Sequence, residues 1–172
     1  GKEVPLEVQK DKEGYAMPIK VKFDKPGTYL IVAERKSGFI SKTNRGYFPK
    51  PKDELKSVIK ALWSEGSAKA IVNVEKPFGI PFLKAISQRY QIIPLENPWN
   101  LKPGDKLGLM VVLDGSPYRS WIYAVYEGFT DEKDTFAYAT KSNKDGIAKI
   151  KILNPGIWLI KASEKLPYPD KN

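Results

Sequence analysis

Residues 106–127 read KLGLMVVLDGSPYRSWIYAVYE, two short apolar runs on either side of a turn-forming segment. The runs 107–113 and 121–126 are rich in β-branched and aromatic residues, which favour β-strands. Asp114-Gly115 between them suits a tight connection between strands. Both runs are far shorter than the roughly 20 residues that a transmembrane helix needs. The sequence therefore predicts neighbouring β-strands and no membrane-spanning helix.

The same pattern continues on both sides of this segment. Apolar runs separated by Gly, Pro and Asn recur near residues 90–95, 106–113, 119–127, 135–141, 147–153 and 156–163. This spacing is typical of a β-sandwich. Asn143-Lys-Asp-Gly146 has the composition of a hairpin turn, so we interpret Asp145 as a turn former and not as a ligand.

A strand followed by a turn is predicted near the start of the chain. Ile19, Val21 and Phe23 alternate with lysines, as in a half-buried strand. Pro26-Gly27 suits a type II turn, after which residues 28–35 are expected to return as a second strand and close a hairpin.

The first half also contains a helical pattern. Leu55, Val58, Ile59 and Leu62 recur at helical spacing, which predicts a short amphipathic helix near 52–64, ended by Gly66. We expect a mostly β protein with two β-sandwich-like domains, 1–85 with this helix and 86–172.

The charge balance and two absent residue types restrict the function. Twenty-nine Lys and Arg against 20 Asp and Glu give a net charge of +9, which favours acidic partners. Cys and His are both absent, which removes the thiol nucleophile, the commonest general base and the commonest transition-metal ligand. No nucleophile elbow, Walker motif or dinucleotide fingerprint is present. We therefore predict a protein that is not an enzyme.

Residues 35–52 are basic without one acidic residue and contain aromatic residues. The candidate binding residues are Arg35, Lys36, Phe39, Lys42, Arg45, Tyr47, Phe48, Lys50 and Lys52. One interpretation is a binding surface for an anionic glycan or a lipid headgroup. The other is a long loop whose aromatic rings fold back onto the sandwich while its lysines stay solvated. The lack of a recognition helix or RNP motif argues against nucleic acid.

A second, acidic cluster lies between two predicted strands. Asp131, Glu132 and Asp134 could hold calcium if backbone carbonyls completed the coordination shell. The alternative is a solvated acidic loop that binds nothing. No other cofactor is expected.

Several pieces of the sequence together resemble a known family. They are the segment 90–98, then Leu101-Lys-Pro-Gly-Asp105, Val112-Leu-Asp-Gly-Ser-Pro117, Asn143-Lys-Asp-Gly146 and Pro155-Gly-Ile-Trp-Leu-Ile160. Their order and spacing resemble the domain-of-unknown-function 4198 family over roughly residues 28–168. The resemblance implies an immunoglobulin-like or carboxypeptidase-regulatory-like sandwich in the second half. It also implies a periplasmic or extracellular protein loosely associated with nickel or cobalt uptake.

This chain departs from the metal-associated members of that family. Those members carry a His near the mature N-terminus and others further on, whereas this chain has none, so nickel and cobalt are poor ligand candidates. The first hypothesis is therefore a non-enzymatic extracytoplasmic binding or accessory protein with an undetermined ligand.

The alternative is a structural subunit that assembles by strand addition with itself or a partner. Family members continue past the segment matching Pro167-Tyr-Pro-Asp170 into a further strand, so an open sheet edge is expected near residues 156–163.

Overall fold

The computed structural model describes residues 3–84, 86 and 88–166. In these residues the β-strands are β1 (Gly27–Thr43), β2 (Gly46–Phe48), β3 (Val58–Val74), β4 (Tyr90–Pro94), β5 (Lys106–Leu113), β6 (Ser116–Pro117), β7 (Trp121–Tyr126), β8 (Tyr138–Lys141), β9 (Ile147–Lys151) and β10 (Trp158–Lys161). Single-turn 3-10 helices span Lys52–Glu54, Pro81–Leu83 and Pro98–Asn100. The protein is mostly β, as the sequence predicts. Across these described ranges, no helix combines the length and apolar character needed to cross a membrane.

The first three strands form one antiparallel sheet in the order β2-β1-β3. β1 and β3 are each 17 residues long and pair from Gly27 opposite Val74 to Thr43 opposite Val58. We call this pair of strands the ribbon. Its base lies beside the second half of the chain, and its far end carries β2. The middle of the ribbon is solvent-exposed over residues 32–37.

The second half folds as a sandwich of two antiparallel sheets. One sheet has the order β4-β5-β6 with β9 also paired to β5, and the other has the order β10-β7-β8. The side chains of Leu109, Val111, Ile122 and Ile150 are fully buried between them. Burial of each such side chain is worth about 1.5–3 kcal/mol. The six strands that the sequence predicts after residue 89 are all present.

Two predicted turns are confirmed. Asp114 and Gly115 have φ of 50° and 78°, the left-handed conformation that a tight hairpin turn requires. In the other turn the Asn143 side-chain oxygen accepts hydrogen bonds from the backbone N–H of Asp145 at 3.0 Å and of Ile147 at 2.9 Å. Asp145 therefore lies in a turn, as interpreted from the sequence.

The predicted helix near 52–64 is wrong. Only Lys52–Glu54 forms a turn of 3-10 helix, and residues from Val58 onward belong to β3. Trp63 pairs across the ribbon with Phe39, and the predicted helix terminator Gly66 pairs with Arg35. Pairing with β1 along its whole length outweighs a local helical spacing, because propensity is weak beside tertiary context.

The predicted hairpin between residues 18–23 and 28–35 is also wrong. Residues 18–24 have no strand structure, and β1 pairs with β3 instead. Phe23 packs on Tyr29, with ring centroids 4.5 Å apart. The strands described before residue 75 belong to a single sheet.

Polar contacts join the base of the ribbon to the sandwich. The Asn97 side-chain amide donates to Asn73 Oδ1 at 3.2 Å, and Thr28 Oγ1 donates to the same oxygen at 2.7 Å. Nearby, Lys69 Nζ donates to Gln91 Oε1 at 2.8 Å, and burial lowers the pKa of this lysine. Both strands of the ribbon are therefore attached at the base.

Candidate binding surfaces

Arg35 is held within the ribbon. Its guanidinium donates to Ser64 Oγ and, at 3.2 Å, to the Glu65 carbonyl, both on β3. The pairing register shifts between Arg35 and Gly38, so Lys36 lies in a bulge. A shallow cleft of about 400 Å³ opens beside this bulge. It is lined by Arg35, Lys36, Ser37, Gly38, Phe39, Ile40, Pro49 and Ser64.

Most of the predicted binding residues lie at the far end of the ribbon. We call residues 36–60 the basic tip, because they hold seven Lys and Arg against two Asp and Glu, or +5 of the net charge of +9. The tip consists of the end of β1, a turn at Asn44-Arg45, β2, a 3-10 turn and the start of β3. The interpretation of residues 35–52 as a long loop is therefore wrong.

One face of the basic tip is partly packed, with Trp63 still 39% exposed. Phe39 meets Trp63 edge to face, with ring centroids 4.9 Å apart. Ser41 is fully buried, and its hydroxyl donates to the Lys50 carbonyl at 2.7 Å. Phe48, opposite Ser41, is half-buried. Phe39 and Phe48 therefore help to order the tip.

The opposite face concentrates charge and exposed apolar surface. Lys42 lies directly across the ribbon from Lys60 and, on its other side, from Tyr47. Lys42 Nζ is 5.8 Å from the centroid of the Tyr47 ring, which is 67% exposed. Leu62 lies on the same face and is 39% exposed. Like charges on directly opposite residues of a sheet repel each other and lower its stability. An anion bound at Lys42 and Lys60 would reduce that repulsion.

The remaining basic residues that the sequence predicts for binding lie around these two faces. Arg45 lies in the turn, where its backbone N–H donates to Thr43 Oγ1 at 3.0 Å. Lys50 Nζ is 3.8 Å from Glu54 Oε2 in an exposed ion pair, and Lys52 begins the 3-10 turn with its side chain in solvent. These side chains add positive charge around the tip.

The sequence pattern did not identify Lys60 and Leu62 as parts of the binding face. They fall inside the segment that helical spacing assigned to a helix. The signal that could have found them is the continuation of lysines at 56 and 60 past the end of the acid-free run.

The structure does not gather the acidic cluster into a metal site. Asp134 pairs with Lys161 at 3.3 Å, and Glu132 accepts a long hydrogen bond of 3.5 Å from Thr135 Oγ1. Within the described parts of the chain, Asp131 included, no three acidic side chains converge in a way that could hold a metal ion. This arrangement gives calcium binding no support.

A chain of hydrogen bonds passes through the buried hydroxyl of Ser120. Tyr90 Oη donates to Ser120 Oγ at 2.6 Å, and Ser120 Oγ donates to Glu164 Oε1 at 2.6 Å. Burial raises the pKa of the Tyr90 phenol. Ser120 is 1% exposed, Tyr90 is half-buried and Glu164 is exposed, so the chain of groups runs from the interior to the surface.

These features define a β-sandwich protein with a long ribbon that ends in a cationic, partly apolar tip. A comparison with family models matches residues 2–165 to the domain of unknown function DUF4198. The chain belongs to that family, which confirms the resemblance found in the sequence. Searches of curated proteins and of solved structures found no significant match.

Proposed function

We propose that this protein is a non-enzymatic, extracytoplasmic binding or accessory protein whose basic tip docks on an anionic lipid surface. The proposal is carried by the Lys42–Lys60 face, where two lysines directly opposite each other in the sheet lie on the same face as the exposed Tyr47 and Leu62. Anionic headgroups neutralise lysines near a membrane, each worth about 1 kcal/mol. The exposed tyrosine and leucine can enter the boundary between headgroups and acyl chains. An anionic glycan would use the lysines but offers no apolar layer for Leu62.

Vesicle binding tests this proposal. The full chain should co-sediment with phosphatidylglycerol-containing vesicles and not with phosphatidylcholine vesicles, and added salt should weaken binding. The double variant K42Q/K60Q should bind roughly 30-fold more weakly, since two lysines at about 1 kcal/mol each are lost.

The chain supplies a matched control for that variant. Lys106 and Lys151 also face each other across paired strands, β5 and β9, in the sandwich. The variant K106Q/K151Q removes the same charge from the same kind of pair and should bind vesicles like the wild type. An equal loss of vesicle binding in both variants would show that binding depends only on net charge, and would contradict docking by the tip. Retention on heparin without vesicle binding would favour a glycan ligand instead.

A second candidate function is assembly by strand addition. β10 pairs with β7, and within the described residues no strand pairs with its other edge. Leu159 on β10 is 60% exposed. An edge of this kind accepts a strand from another chain. The segment Pro167–Asp170 lies outside the described residues. A mass in solution that rises with protein concentration supports this function, and a constant monomer mass argues against it.

A further inference from the structure

The outer face of the β10-β7-β8 sheet carries a row of aromatic side chains. On β7 the residues Ile122 and Ala124 point inward and are fully buried, so Trp121, Tyr123 and Val125 lie on the outer face. Antiparallel sandwich sheets normally place polar residues on that face. Trp121 is nevertheless 49% exposed. Trp121 and Tyr123 therefore lie outside the core between the two sheets.

The rings are consecutive along the sheet. The Trp121 and Tyr123 ring planes lie within 19° of parallel with centroids 6.4 Å apart, and the Phe136 ring centroid is 5.0 Å from that of Tyr123. We call Trp121, Tyr123 and Phe136 the aromatic row. It lies on an open sheet face, so it suits a ligand that extends along a surface.

An ammonium group lies at each end of the aromatic row. Lys141 is the cross-strand partner of Trp121, with its Nζ 5.6 Å from the ring centroid. Lys161 Nζ is 5.7 Å from the Phe136 centroid and also pairs with Asp134. Among the described residues Lys141 has no carboxylate within ion-pair distance. It is therefore the group available to an acidic ligand.

We propose that the aromatic row binds an acidic polysaccharide, a linear chain of sugars that carry carboxylate groups. The apolar C–H face of a pyranose ring packs on an aromatic face, whose negative quadrupole attracts the slightly positive C–H hydrogens. Lys141 then pairs with the carboxylate of the sugar stacked at Trp121. The row is a separate surface from the basic tip, and this proposal does not depend on lipid docking.

Affinity electrophoresis of the full chain tests the proposal, with alginate as the polyuronate probe and dextran as the neutral polysaccharide. Alginate should retard the wild type and dextran should not. W121A should weaken alginate binding by on the order of tenfold or more, because a stacking ring is lost. K141Q should weaken it as well, and its difference from the wild type should shrink as salt rises.

Two variants serve as controls. Trp99 is an exposed tryptophan in a 3-10 turn outside the row, so W99A should be retarded like the wild type. K106Q/K151Q removes two positive charges from the other sheet of the sandwich, away from the row, and should also be retarded like the wild type. An unchanged melting temperature of W121A would show that the ring is not needed for folding.

Three results would overturn the proposal. The first is a wild type that alginate does not retard, and the second is equal retardation of W121A and wild type. The third is a concentration-dependent dimer that W121A abolishes, which would assign the face to a second copy of the chain.

Discussion

Arg89 connects three parts of the molecule through its guanidinium. Nε and Nη2 bind the two carboxylate oxygens of Asp114 at 2.6 and 2.8 Å, and Nη1 is 3.7 Å from Glu65 Oε1 on the ribbon. The hydrogen bond and charge of Arg89 lower the pKa of the Asp114 carboxyl, while the same contact raises the pKa of the guanidinium. A bidentate pair of this kind fixes the tight turn at Asp114 against the start of β4.

The lowered pKa of Asp114 predicts an acid-sensitive contribution to stability. Between the lowered native pKa and the usual carboxyl pKa, the unfolded chain binds more protons than the folded one, so stability increases with pH. The contribution is complete above the usual pKa and is lost as pH falls through the native pKa. Melting temperatures measured from pH 7 to pH 2 should therefore fall less steeply in Asp114→Asn than in wild type. Asn tolerates the left-handed turn conformation, so the variant removes mainly the charge.

Asp145→Asn is the matched control, since it removes an exposed carboxylate from another turn. Its pH profile measures the effect of removing one surface carboxylate that makes no ion pair among the described residues. The pair with Arg89 is exposed, so the difference should be small and should diminish in high salt. Parallel profiles for wild type and Asp114→Asn would contradict the assignment.

The turn between β8 and β9 packs closely against β5. Gly146 has φ of 74°, and a Cβ added there would lie 2.5 Å from the Val111 carbonyl oxygen. Gly115 has a similar φ of 78°, but its added Cβ would meet nothing within 4 Å. A side chain at position 115 therefore adds backbone strain alone, whereas a side chain at position 146 adds both backbone strain and steric overlap.

We predict that Gly115→Ala lowers the free energy of unfolding by about 1–2 kcal/mol, the cost of left-handed backbone alone. Gly146→Ala should lower it by about 3 kcal/mol or more, because the turn must also move away from β5. Urea unfolding of both variants measures the difference. Equal costs would mean that the turn does not pack against β5 as described.

Strands after residue 89 could be predicted because turn residues separate short apolar runs at regular spacing. The ribbon could not, because its pairing joins residues far apart in sequence. The spacing of the apolar residues at 55, 58, 59 and 62 predicts a helix. In the folded chain the last three of them lie in β3, which pairs with β1. Local spacing contains no information about that partner.

The candidate sites were predictable to different extents. The acid-free run from Arg35 to Lys52 identified the basic tip, but the face shared by Lys42, Tyr47 and Lys60 depends on register and on the bulge beyond Arg35. The aromatic row was not predicted, since the run 121–126 was interpreted only as a strand. The available signal was that such a strand has one core face, so alternate apolar residues had to lie outside.

For the whole molecule, the absence of His and Cys from all 172 residues predicts its metal content. Nickel, cobalt, zinc and copper bind proteins chiefly through imidazole and thiolate groups. We therefore expect purified protein to contain no stoichiometric amount of these metals, measured by elemental analysis after dialysis. One equivalent of any of them would contradict the prediction, whereas calcium would not.

The ribbon also has a mechanical consequence. At about 3.3 Å per residue, the twelve steps from Gly27 to Phe39 place the start of the packed tip roughly 40 Å from the base. Both strands are attached at that base, where Thr28 and Asn97 share the Asn73 side-chain oxygen. If the tip is held while the sandwich is pulled away, the tension runs along two covalent backbones in parallel. The hydrogen bonds between the strands lie across the direction of pull, so the ribbon can transmit force without being unzipped.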